Sequence, residues 1–121
     1  MGLGIFVQRV NTTLAVTRAG TVYSASVSVP RLTGFCSVLL TTTAGSVTVT
    51  QQCSLEGTTF YDAVDSDGNA LGPVVAAMTV GTKYIQFAPV IAPYIRFKIV
   101  EGNVAALSIT IDLISQKGLQ F

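Results

Sequence analysis

Any chemistry in this chain must come from two cysteines, six carboxylates and seven cations, because there is no histidine. Without His, the Ser-His-Asp and Cys-His arrangements are closed to it. Ser-Lys chemistry would need Lys83, Lys98 or Lys117, and none of these stands in a nucleophile motif. A carboxylate pair for glycoside hydrolysis would be drawn from Glu56, Asp62, Asp65, Asp67, Glu101 and Asp112, most of which fall in one stretch. We expect no catalytic residues, no cofactor and no enzyme activity.

The acidic stretch Asp62-Ala63-Val64-Asp65-Ser66-Asp67-Gly68-Asn69 offers hard oxygen ligands of the kind calcium takes. An EF-hand loop needs acids at positions 1, 3 and 5 before its glycine. Counted back from Gly68, those positions are Ala63, Asp65 and Asp67, and Val74 stands where the closing Glu belongs. Asp-Gly-Asn is also an ordinary turn sequence. The stretch reads as a solvated loop, with a weak cation site as the alternative. Two cysteines without His supply too few soft ligands for zinc, so no metal residue is assigned.

Cys36 and Cys53 flank Thr43-Ala44-Gly45-Ser46, which lies between two alternating segments. If Ala44-Gly45 is a two-residue hairpin loop, Thr42 faces Val47, Leu40 faces Val49, Val38 faces Gln51 and Cys36 faces Cys53. Such a non-hydrogen-bonded pair has Cα atoms about 4.5 Å apart, close enough for a cross-strand disulfide. In a reducing compartment the same two residues would be small buried hydrophobes. Both states remain open.

Recognition chemistry is sparse. The net charge of +1 gives no general attraction to nucleic acid or membrane, and we expect neither as a partner. The charges are unevenly placed: residues 1–55 hold Arg9, Arg18 and Arg31 and no acid, whereas Glu56, Asp62, Asp65 and Asp67 follow closely. Either few charges fell this way by chance, or a basic N-terminal segment docks on an acidic neighbour. Tyr94-Ile95-Arg96-Phe97-Lys98 puts Tyr94, Arg96 and Lys98 on one strand face, a short stripe for nucleic acid that also suits a solvated strand. Tyr61, Tyr84 and Tyr94 are the candidates for a sugar-binding platform.

The elements that position these residues are strands. Apolar and small polar residues alternate with period two along most of the chain. Val22–Val29 would set Tyr23, Ala25, Val27 and Val29 on one face and the serines on the other. Further strands are expected over Phe35–Thr42, Val47–Leu55, Thr58–Tyr61, Val74–Val80, Lys83–Phe87, Tyr94–Val100 and Ala105–Ser115. In the last, Leu107, Ile109, Ile111 and Leu113 face inward. About seven to nine short strands with regular turn signals predict an all-β fold, an antiparallel two-sheet β-sandwich of jelly-roll or immunoglobulin-like type. Residues 21–115 would form the sandwich, residues 1–20 an N-terminal arm and residues 116–121 a C-terminal tail. Met1–Arg9 lacks the basic start and long apolar segment of a signal peptide, so export is not expected.

Half the residues are hydrophobic and only 11% are charged, well under the quarter usual for soluble domains. Apolar surface left after a core is filled tends to mark an interface. A homo-oligomer is expected, and a trimer is one closed form open to it. Arg9, Arg18 and Phe121 are the interface candidates. Phe121 either folds back on its own core or fills a neighbour's pocket.

Two segments carry a resemblance. Val47–Asp62, with its strand followed by Ser54-Leu55-Glu56-Gly57-Thr58-Thr59-Phe60, is similar to a stretch of small β-sandwich virion proteins of tailed bacteriophages. Ala92-Pro93-Tyr94-Ile95-Arg96-Phe97-Lys98-Ile99, then Gly102-Asn103 and a closing strand, resembles the ending of the same group. The likeness spans roughly residues 35–115 and its motifs are loose; similar patterns occur in secreted adhesive and carbohydrate-binding domains. It implies a virion location and a partner in the major capsid protein or another virion protein. A head decoration (cement) protein bridging coat subunits is its leading form, and a receptor- or carbohydrate-binding module is the alternative. It brings no catalytic residues.

Overall fold

The computed structural model describes residues 4–28, 36–69, 71–87 and 92–117. These form ten strands: β1 (Gly4–Val16), β2 (Thr21–Tyr23), β3 (Val27–Ser28), β4 (Cys36–Thr42), β5 (Val47–Ser54), β6 (Tyr61–Asp62), β7 (Val75–Met78), β8 (Gly81–Phe87), β9 (Tyr94–Glu101) and β10 (Leu107–Lys117). A four-stranded antiparallel sheet has the order β1-β10-β4-β8. A six-stranded sheet has the order β2-β9-β5-β6, with β3 also on β9 and β7 also on β5. The expected all-β, two-sheet architecture is present, with one strand more than the upper count.

Alternation decides what each strand buries. Val38 and Leu40 of β4 and Ile109, Ile111 and Leu113 of β10 point in from one sheet. Val47 and Val49 of β5 and Ile95, Phe97 and Ile99 of β9 point in from the other, and all ten are fully buried. Phe97 also meets the Phe87 ring edge-on at 6.1 Å. Truncating a buried Phe of this kind costs about 3–5 kcal/mol.

Three expectations are corrected. The first is the hairpin. β4 pairs with β10 and β8, while β5 pairs with β9, β6 and β7. The link Thr43–Ser46 therefore crosses from one sheet to the other. Cys36 and Cys53 lie in different sheets as free thiols, not as a cross-strand pair. Each half of the link is tied to its own sheet: Thr43 N donates to Ser108 O and Ser108 N to Thr43 Oγ1, while Gly102 N donates to Ser46 O. Gly45 makes the crossing at φ +75, where a Cβ would stand 2.6 Å from the Leu107 side chain and 2.9 Å from Ala105 O. Leu40 and Val49 thus serve opposite walls of one core instead of one sheet face.

The second is the arm. Gly4–Val16 pairs antiparallel with β10, from Gly4 opposite Lys117 to Val16 opposite Leu107. Register shifts between Arg9 and Asn11 and between Asn11 and Leu14 break the period of two. That hides the strand from a reading by alternation, although Val10 and Val16 are buried in the core. The third is the face of Val22–Val29. Ser24 is buried, its Oγ accepts from Phe97 N at 2.8 Å and donates to Ala25 O, and it splits the segment into β2 and β3. Val22 consequently faces the core opposite Ile99 and Tyr23 faces out opposite Lys98.

Candidate functional site

The outer face of the six-stranded sheet carries the most organised polar arrangement. In β9 the core takes Ile95, Phe97 and Ile99, so Tyr94, Arg96 and Lys98 project outward, as the alternation predicts. Arg96 packs against two rings, with its guanidinium carbon 4.3 Å from the Tyr23 centroid and 4.2 Å from that of Phe60. Its Nε donates to Gln52 Oε1 at 2.8 Å, and Gln52 Nε2 donates to Asp62 Oδ1 at 2.8 Å. Arg96, Gln52 and Asp62 form one cross-strand row over β9, β5 and β6, each directly opposite the next.

The loop after β5 is folded onto this face. Gly57 N donates to Ser54 Oγ at 2.8 Å, and Gly57, at φ +88, faces the Tyr94 ring, which an added Cβ would meet at 3.4 Å. Glu56 Oε1 accepts from Thr59 N at 3.0 Å and from the Thr58 and Ser54 hydroxyls. The Thr59 N–H foremost holds the Glu56 carboxyl below its ordinary range. This closed loop delivers Phe60 to Arg96.

The acidic stretch leaves the sheet at its edge. β6 and β7 both pair antiparallel with β5 and together form one edge strand, interrupted by residues 63–74. Ala63 N donates to Gln51 O and Val74 N to Val49 O at the two ends of the excursion. Within it Asp65 Oδ1 accepts from Asp67 N and Asn69 N, so this carboxylate caps its own turn. Among the described residues, no group of three or more His, Cys, Asp or Glu gathers as a metal would need. A cleft of about 260 Å³ opens beside the excursion, lined by Thr50, Gln51, Asp62, Leu71, Val74 and Phe87 among others.

At the end of the sandwich where β9 leads into β10, Glu101 is 2% exposed and faces inward. Its carboxylate accepts from Ala19 N at 2.8 Å, Ser46 N at 3.1 Å and Val104 N at 2.9 Å. These donors, Ala19 first, hold it down to about 2. Glu101 thereby joins the β1–β2 turn, the β4–β5 crossing and the β9–β10 turn. Nothing local in Glu101-Gly102-Asn103 signals this role.

The remaining candidates are scattered. Arg9 is opposite Asp112 in the β1–β10 register. Arg18 Nε donates to Asn103 Oδ1 at the Glu101 end. Phe121 lies outside the described residues. The three tyrosines are not brought together: Tyr61 is in edge strand β6, Tyr84 is on the outer face of edge strand β8, and Tyr94 is under Gly57. Cys36 is buried and Cys53 half-buried, and burial pushes both thiols up, against which Gln51 Nε2 donates to Cys53 Sγ. Gln52, Tyr23 and Phe60, which complete the Arg96 arrangement, were missed because only long-range pairing assembles them.

Fold and surface together define an antiparallel β-sandwich with an organised polar row on the outer face of one sheet. No protein-family model matches the chain, and no curated protein matches it. Among solved structures it is similar to a chain of "Structure of infectious bursal disease virus Gx strain", with a TM-score of 0.49 and 14% identity. The match covers 98% of this chain and 33% of that one, so the chain spans about a third of its length. Among the described residues, no helix is long and apolar enough to cross a membrane.

Proposed function

We propose that the chain is a non-catalytic structural protein of a virion, and specifically a decoration (cement) protein that stabilises a head by bridging coat subunits. The observation that carries this reading is the apolar surface. Leu55 is 78% exposed and Tyr84 72%, with Tyr61, Val80 and Val104 also well exposed. These side chains sit on a sandwich whose core is already filled and whose buried side-chain polar atoms, among the described residues, all have partners. Exposed apolar area on a satisfied fold suits a neighbour that covers it. The low charge content and the two phage-like segments support the same reading. Many weak contacts across a symmetric shell would add by multivalency.

The test is location. Protein mass spectrometry and immunogold labelling of purified particles should find the chain in many copies on the shell surface. Its absence from purified particles would overturn the reading. The exposure of Tyr61 and Tyr84 keeps a second reading, a carbohydrate- or receptor-binding module. For it, a glycan array probed with the purified chain should give binding that Tyr61→Ala or Tyr84→Ala abolishes.

A further inference from the structure

We infer that the outer face of the six-stranded sheet pairs with the same face of a second copy, Arg96 of each taking the Asp62 carboxylate of the other. This goes beyond attachment to a shell, since it names a self-contact.

Arg96 is prepared for a carboxylate. Two rings pack against its guanidinium group and Gln52 fixes Nε. Much of the entropy cost of ordering the side chain is thus already met by the fold. Among the described residues, Gln52, Tyr23 and Phe60 are its partners and none is an acid. The two terminal nitrogens are left, the edge of the fork that grips a carboxylate with two parallel bonds. Asp62 is its counterpart: Oδ1 is held by Gln52, and the residue is exposed. The two cannot meet within one molecule. They stand two strands apart in one row, about 9–10 Å across the sheet, and Gln52 fills the space between.

A two-fold axis lying along β5 removes that separation. It exchanges left and right across the sheet while keeping each row at its own height. The β9 strand of one copy then lies over β6 of the other, and Arg96 over Asp62, twice. Lys98, one row along opposite Thr50, comes over the edge where the excursion bearing Asp65 and Asp67 departs. The patch is therefore self-complementary in charge, as an isologous contact requires. Sheets packed face to face with nearly aligned strands are a standard arrangement.

The full chain should show a monomer–dimer equilibrium by sedimentation equilibrium up to millimolar concentration, weakening as salt is raised. Arg96→Glu and Asp62→Arg should each weaken dimerisation at least about tenfold, since each sets like charges together. Mixed one to one, the two variants should restore a dimer, because both contacts are again of opposite sign. Circular dichroism checks that each variant is folded. Should Arg96→Glu not fold, Thr50→Cys decides: Thr50 faces outward on the axial strand, so a short bismaleimide that spans the roughly 10 Å between packed sheets should yield a cross-linked dimer above the wild-type background. A wild type monomeric at millimolar concentration, a dimer indifferent to both reversals, or no Thr50→Cys cross-link overturns the inference. None of these bears on whether the chain is found on virions, which the particle labelling reads separately.

Discussion

Glu101 and Arg96 are both charged, both on β9 and only five residues apart, yet their surroundings are opposite. Glu101 faces inward and is saturated by backbone N–H groups from three connections. Arg96 faces outward and is held by two rings and one amide, with no acid among its partners in the described residues. A charge whose hydrogen bonds are all made inside the molecule is committed to the fold. A charge fixed in position but left open at one edge is committed to something outside it. The contrast separates the part of the molecule that holds shape from the part that can meet a partner.

The contrast breaks most severely at Glu101. Glu101→Ala leaves the Ala19, Ser46 and Val104 N–H groups without their acceptor, and unsatisfied buried donors are costly. We expect it to give the largest fall in thermal midpoint of any substitution of a charged residue, read by circular dichroism. The pH dependence has a fixed sign. A carboxyl held at about 2 in the fold and near about 4.3 when unfolded stabilises the protein fully above the higher value. That contribution is lost as pH falls through the lower one. Urea midpoints measured from pH 5 to pH 2 should therefore drop, and Glu101→Gln should flatten the drop. Glu56, shifted in the same direction, leaves a residual slope.

Next in size is Gly45→Ala, which forces a Cβ into the Glu101 end at a positive φ and against Leu107. It should destabilise by about 1–3 kcal/mol in urea titration without altering association. Arg96→Gln removes two cation–ring contacts at about 0.5–1 kcal/mol each. A loss near 1–2 kcal/mol is expected, and it should also raise proteolytic cleavage in the 55–60 loop. Asp62→Asn is the smallest. An exposed edge residue that keeps its bond to Gln52 should shift stability by no more than about 0.5 kcal/mol, while salt-sensitive association measured by sedimentation still weakens. A large stability loss at Asp62, or none at Glu101, would collapse the distinction between the two sites.

Much of the fold was legible because β4 and β9 alternate cleanly and β5 and β10 do so over most of their length, and Leu107, Ile109, Ile111 and Leu113 face inward as their spacing says. Alternation tells which side of a strand is buried, but not which sheet the strand joins. That is why Cys36 and Cys53 could be set in a hairpin that the Thr43–Ser46 crossing rules out. Bulges concealed β1, and one buried hydroxyl at Ser24 reversed the faces of the next segment. For the candidate site, the outward stripe of Tyr94, Arg96 and Lys98 could be read directly. Its rings and its amide could not, since Tyr23, Gln52 and Phe60 meet Arg96 only through strand pairing and a folded loop.

The interrupted edge strand has a consequence for how this protein can change. The ladder to β5 is secured on both sides of the break, at Ala63 and at Val74, so the chain between them hangs from two fixed posts. Lengthening the exposed stretch around Asp67–Asn69 disturbs only the bonds of the Asp65 turn, since neither the ladder to β5 nor a core side chain depends on those residues. Foreign peptides grafted there should be carried without loss of folding, making this edge the natural place for the protein to acquire new surface.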